Sequence, residues 1–159
     1  MFIKVLLWMV LILPWLSLFF MKKSDIKRYM PVTILTALLT TILFEIAYTY
    51  GWWTLHIDIM PWGYITNTSF TYGGYAIATL WIFYFTSHNF WLFMLTELIV
   101  NAFWAFIGLH WIIDKFMGVA TFQIKNWQWF LIEIVVVLIL YAYHHWQRKI
   151  FVPSGDTNE

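Results

Sequence analysis

The chain contains no cysteine, which excludes disulfides, thiolate metal sites, iron–sulfur clusters and thiol nucleophiles. Charge is also scarce. Asp, Glu, Lys and Arg make up 11% of the 159 residues, where a soluble domain carries roughly 25%. The net charge of +1, from basic residues scattered along the chain, excludes an electrostatic nucleic-acid binder. No HExxH, GxSxG or phosphate-cradling glycine loop occurs, so no catalytic signature is complete. Nothing in the sequence points to a cofactor.

What remains is apolar mass. Hydrophobic residues reach 62% and aromatic residues 23%, with a mean hydropathy of +0.73. Apolar runs of about 20 residues make the lipid bilayer the expected solvent and chief partner. Further membrane proteins, or a second copy of the chain, are the remaining candidate partners. The expected location is the cell membrane, in a multi-pass arrangement.

Five segments are apolar enough to cross: 2–21, 29–50, 72–87, 91–113 and 127–146. Twenty helical residues rise about 30 Å, the thickness of the hydrocarbon core. Period-2 alternation is absent, and a lipid-exposed backbone must satisfy its own hydrogen bonds, so helices are expected rather than strands. The third segment is short. The fold class is therefore all-α: one transmembrane bundle over residues 1–150, followed by a disordered cytoplasmic tail, 151–159. There is no internal repeat. Lys4 is a minimal n-region for a signal peptide. No small-x-small cleavage site follows it, however, and Lys22-Lys23 come directly after the apolar run, so a retained first helix is expected.

Basic residues orient the bundle. The first connection carries Lys22, Lys23, Lys27 and Arg28, and Arg148 and Lys149 follow the fifth span. The second connection, 51–71, has no Lys or Arg, and the fourth, 114–126, has only Lys115 and Lys125. The positive-inside rule then puts the amino terminus outside and the carboxyl terminus inside. Ser24 is the expected N-cap of the second helix, Pro14 should kink the first, and Ser87-His88-Asn89 should form a tight inner turn. Trp52, Trp53, Trp62, Trp111, Trp127 and Trp129 fit an outer aromatic belt, and Trp91 and Trp146 an inner one. Trp8, Trp15, Trp81 and Trp104 lie deeper and are expected between helices. The loop 51–71 is rich in apolar residues and should form an irregular or part-helical lid. His144-His145 reads as a snorkelling cytoplasmic edge.

Three glutamates fall within spans, each costing about 2.5–3.5 kcal/mol at a helix centre. Helical spacing places Thr41, Glu45 and Tyr48 on one face of span two. The same spacing aligns Glu97, Asn101, Trp104 and Gly108 on span four, and Asn126, Trp129, Glu133, Leu140 and His144 on span five. Glu45 and Glu133 have similar depths below the outer boundary, and Glu97 lies toward the inner side. Glu45 and Glu133 are expected to share a proton or cation, because like carboxylates in low dielectric cannot both ionise. Glu45, beneath the tryptophan-rich lid, is the leading candidate. His56, Asp58, His110 and Asp114 form a candidate outer rim, and which metal they could bind, if any, is open. Two readings compete: a proton, cation or polar-ligand site, and acids hydrogen-bonded across helices that hold the bundle together. A non-enzymatic structural, partner or ion-binding role is favoured. The alternative is a membrane enzyme or a proton- or cation-coupled transporter with an outward-facing carboxylate/His site.

Short motifs add a resemblance. Trp15, the linker Lys22-Lys23-Ser24-Asp25-Ile26-Lys27-Arg28, Tyr29-Met30-Pro31-Val32, Phe44-Glu45-Ile46, Gly51-Trp52, Pro61, Ala105-Phe106-Ile107-Gly108 and Asn126-Trp127 together cover most of the chain. They resemble an uncharacterised family of small five-helix integral membrane proteins of Gram-positive endospore formers. The resemblance implies a plasma- or spore-membrane location and no particular activity. Members carry further acids around the Glu45 position and just after Gly108, where this chain has Thr41, Phe44 and Leu109.

Overall fold

Five helical stretches follow one another in the computed structural model, which describes residues 2–61 and 64–151. Helix α1 is Phe2–Ser17, ending in a 3-10 turn, Leu18–Phe20; α2 is Lys23–Tyr50. A π-helical segment, Phe70–Tyr75, runs into α3, Ala76–Thr86, and α4, Phe90–Phe103, runs into a second π-helical segment, Trp104–Phe116. Helix α5 is Asn126–Phe151. Among the described residues four helices are long and apolar enough to cross a membrane: 2–20, 23–50, 90–116 and 126–150. The third helical stretch is the short one, as its sequence implied. Trp62 and the tail from Val152 onward lie outside the described residues.

The connections fix how the helices alternate. Short strands β1, Trp53–Leu55, and β2, Ala120–Phe122, pair antiparallel with Trp53 opposite Phe122 and Leu55 opposite Ala120. This ladder joins the α2–α3 and α4–α5 connections at one end of the bundle. It also satisfies backbone groups of both connections. The lid therefore contains strand, where an irregular or helical segment was expected. Trp-Thr-Leu and Ala-Thr-Phe are too short to show a period, and each needs the other as partner. At the opposite end the Tyr29 and Ser87 hydroxyls lie 3.0 Å apart, and Gln147 Nε2 donates to the Arg28 carbonyl at 3.5 Å. These contacts gather the start of α2, the α3–α4 turn and the end of α5.

Local punctuation explains the boundaries. Gly51 ends α2 in the left-handed conformation (φ +64°), and the Trp52 N–H donates to the Ala47 carbonyl at 2.9 Å. That is a glycine C-cap, which an L side chain would strain. Asn89 caps α4 by accepting from the N–H groups of Trp91 and Leu92, so the expected tight turn before α4 is present. Ser24 lies inside α2 instead, and Lys22 holds the cap position through its carbonyl. Asn67, in an Asn-Thr-Ser sequon, is 2% exposed and accepts from the Phe70 N–H, so it caps the helix and is closed to modification in this fold.

Helix α1 sits at the periphery, with Leu7 its one buried residue. It is held by close backbone approach, since a Cβ on Gly73 would overlap the Val10 carbonyl and the Leu11 Cα. Small residues permit such contact between apolar helices. Indole bonds fasten it further: Trp15 Nε1 donates to the Tyr72 carbonyl (2.9 Å) and Trp81 Nε1 to Ser17 Oγ (2.8 Å). Trp81 and Trp104 are partly buried between helices as expected, but Trp8 and Trp15 are each 44% exposed, because among the described residues no helix covers the far side of α1. The main core joins Val32, Ile77, Leu80, Phe83, Phe93, Val136, Val137 and Leu140 from α2 to α5.

Candidate functional site

The inward face of each helix decides which acids meet. On α2 the buried residues are Tyr29, Val32, Thr33, Thr36, Thr40 and Ala47. Each of these three threonines donates to the carbonyl four residues back, so they enter the core without orphaned hydroxyls. Glu45 follows Thr36 by nine residues, about two and a half turns at 3.6 residues per turn, which puts it on the opposite side. Glu45 is accordingly exposed, as is Tyr48, and Thr41 is only partly buried. Thr41 Oγ1 donates to the Ala37 carbonyl and lies 3.0 Å from the Tyr72 hydroxyl. The expected pairing of Glu45 with Glu133 does not form, because the threonine stripe outcompetes the single acid for the interior.

Helices α4 and α5 turn as their spacing implied. Glu97 is 5% exposed, Asn101 4% and Glu133 4%. Asn101 Nδ2 donates to Glu97 Oε2 at 3.4 Å, and the Tyr75 hydroxyl donates to Glu133 Oε2. Glu97 lies on α4 and Glu133 on α5, two helices that pack against each other. The bonded partner of Glu133 is Tyr75 from the π-helical segment, and that of Glu97 is Asn101, one turn along its own helix. Pi-helical turns recur at functional sites. Both such segments here adjoin this cluster, one containing Tyr75 and the other starting three residues after Asn101. Tyr75 left only a faint trace in the sequence, a polar-tipped ring after Gly73-Gly74 in an apolar stretch.

The outer-rim residues do not converge. His56 Nε2 lies 2.8 Å from Thr121 Oγ1, tying the two strands together. The Asp58 carboxylate accepts from the N–H groups of Met60 (3.2 Å) and Thr68 (3.0 Å), and thereby closes its own loop. His110 Nε2 lies 2.6 Å from Asn126 Oδ1. Asp114 gives its backbone carbonyl to the Gly118 N–H. Among the described residues no group of three or more His, Asp or Glu side chains could hold a metal ion.

At the opposite end His144 is 2% exposed, while His145 is exposed. A shared exposed edge of both histidines, as expected, does not form, because His144 turns into the bundle. His144 stacks on Tyr29 with ring centroids 5.4 Å apart and tilts against Phe83 at 5.0 Å. No protein-family model, curated protein or solved structure matches this chain.

Proposed function

We propose that this chain is a non-enzymatic integral membrane protein with five crossings, whose Glu97–Glu133–Tyr75–Asn101 cluster binds one exchangeable proton or monovalent cation. The observation that carries this reading is the placement of two buried carboxylates on facing helices, with a phenol donating to one and a carboxamide to the other. Intramembrane acids facing a bundle interior commonly mark ion or proton sites. The outer glutamate, Glu45, has no part in the site.

The topology runs amino terminus outside, carboxyl terminus inside. The helix 68–86 rises about 28 Å at 1.5 Å per residue, close to the hydrocarbon thickness of about 30 Å. Lys22, Lys23, Lys27, Arg28, Arg148 and Lys149 then share the inner side. Location in the plasma or spore membrane follows the family resemblance. A reporter fused after Glu159 that is active only outside the cell would overturn the orientation.

The site itself is tested in nanodiscs with Glu97→Gln and Glu133→Gln, which keep shape and most hydrogen bonds. The wild type should show a deuterium-sensitive carboxylic carbonyl stretch that disappears on titration or on adding Na⁺ or K⁺. Either variant should fold and lose that response. If both variants fold and retain the full response, the ion-site reading fails and the acids only hold helices together.

A further inference from the structure

A cavity of about 310 Å³ opens at the β1–β2 end of the bundle, lined by Tyr50, Gly51, Trp52, Gln123, Ile124, Gln128 and Ile132. It lies between the end of α2 and the start of α5, apart from the carboxylate cluster. Its size reaches the lower range of small-molecule sites.

The rim is built before any ligand arrives. The Trp52 carbonyl accepts from the N–H groups of both Gln123 (2.8 Å) and Ile124 (3.0 Å), and its N–H is bound to Ala47. The left-handed Gly51 places Tyr50 and Trp52 with their rings stacked, centroids 6.2 Å apart and planes at 25°. Gln128 Oε1 accepts from the Lys125 N–H at 3.2 Å, which leaves its amide NH₂ as the free donor. Ile124 and Ile132 supply apolar lining.

Among the described residues no lining side chain is charged. A phosphate or carboxylate would therefore gain no ion pair inside the cavity, and a cation would find no anion. The lining offers aromatic faces, apolar floor and two carboxamides, which suit a ring that is apolar on its face and rich in hydroxyls at its edge. Ile132 lies four residues beyond Gln128, one turn further along α5 toward the bundle centre. An acyl chain attached to the ring could continue in that direction.

We propose that this cavity binds the neutral sugar headgroup of a glycolipid. The outer face of the stacked Tyr50–Trp52 pair packs on the sugar, and Gln123 and Gln128 bond its hydroxyls. This requires the bundle to lie in a bilayer and is independent of whether the carboxylate cluster binds an ion.

The test uses the full chain in phosphatidylcholine nanodiscs doped with monoglucosyl diacylglycerol, with lipid adducts read by native mass spectrometry. Phosphatidylglycerol and free methyl glucoside are the comparison arms. Glucosyl lipid should be retained at least tenfold over phosphatidylglycerol. Tyr50→Ala with Gln123→Ala, both at exposed positions, should abolish that preference while leaving the melting temperature unchanged. Equal retention by the variant, or preference for phosphatidylglycerol, would overturn the proposal. Saturation by methyl glucoside at the same concentration would overturn the lipid source. Should the double variant fail to fold, Gln128→Leu alone must still lower glucosyl-lipid retention.

Discussion

The bundle holds two buried polar clusters, and they are completed differently. In the carboxylate cluster Glu133 receives the Tyr75 hydroxyl and Glu97 the Asn101 amide. At the other end, among the described residues, neither ring nitrogen of His144 has a partner, nor has Gln147 Oε1. His144 is held instead by ring packing on Tyr29 and Phe83. A buried polar atom without a partner bears a desolvation cost of about 1–3 kcal/mol. In the first cluster the Tyr75–Glu133 bond connects two helical stretches while Glu97–Asn101 stays within α4, whereas the second cluster tolerates polarity for the sake of an aromatic shape.

The largest expected effect comes from breaking the first cluster on one side. Tyr75→Phe removes a hydroxyl, keeps the ring, and leaves Glu133 buried without its donor. Reversible unfolding in mixed micelles should show a loss of about 1–3 kcal/mol. In a double-mutant cycle with Glu133→Leu, the coupling should be at least about 0.6 kcal/mol, the average for hydrogen bonds between membrane helices, and no more than about 1.7 kcal/mol, the largest such value. Additive effects would mean that the bond does not connect the helices.

An opposite sign is expected at the second cluster. His144→Phe retains a ring between Tyr29 and Phe83 and removes two unpartnered nitrogens. Stability should rise by about 1 kcal/mol, visible as a higher melting temperature. A fall would show that His144 has a partner in the membrane, such as an ordered water, and the contrast between the clusters would narrow.

The smallest effect sharpens the comparison by serving as its control. Glu45 is exposed, so Glu45→Gln should change unfolding free energy by less than about 0.5 kcal/mol and leave the carboxylic carbonyl response intact. A large loss of either would return Glu45 to the site.

By itself the sequence determined an all-α chain of long apolar helices, consistent with a lipid bilayer, because 62% hydrophobic residues fall in runs of about 20. It also determined the inward faces of α4 and α5, where one polar stripe per helix leaves a single orientation that hides Glu97, Asn101 and Glu133. On α2 two polar stripes compete, and spacing alone cannot rank them. Packing decided for Thr33, Thr36 and Thr40, whose hydroxyls bond their own helix, and turned Glu45 outward. Tyr75 as the partner of Glu133, the β1–β2 ladder and the cavity beside Trp52 likewise arose only in the tertiary structure. Each joins residues far apart in the chain, and hydrophobic periodicity describes one helix at a time, with no information about which neighbour lies across the interface.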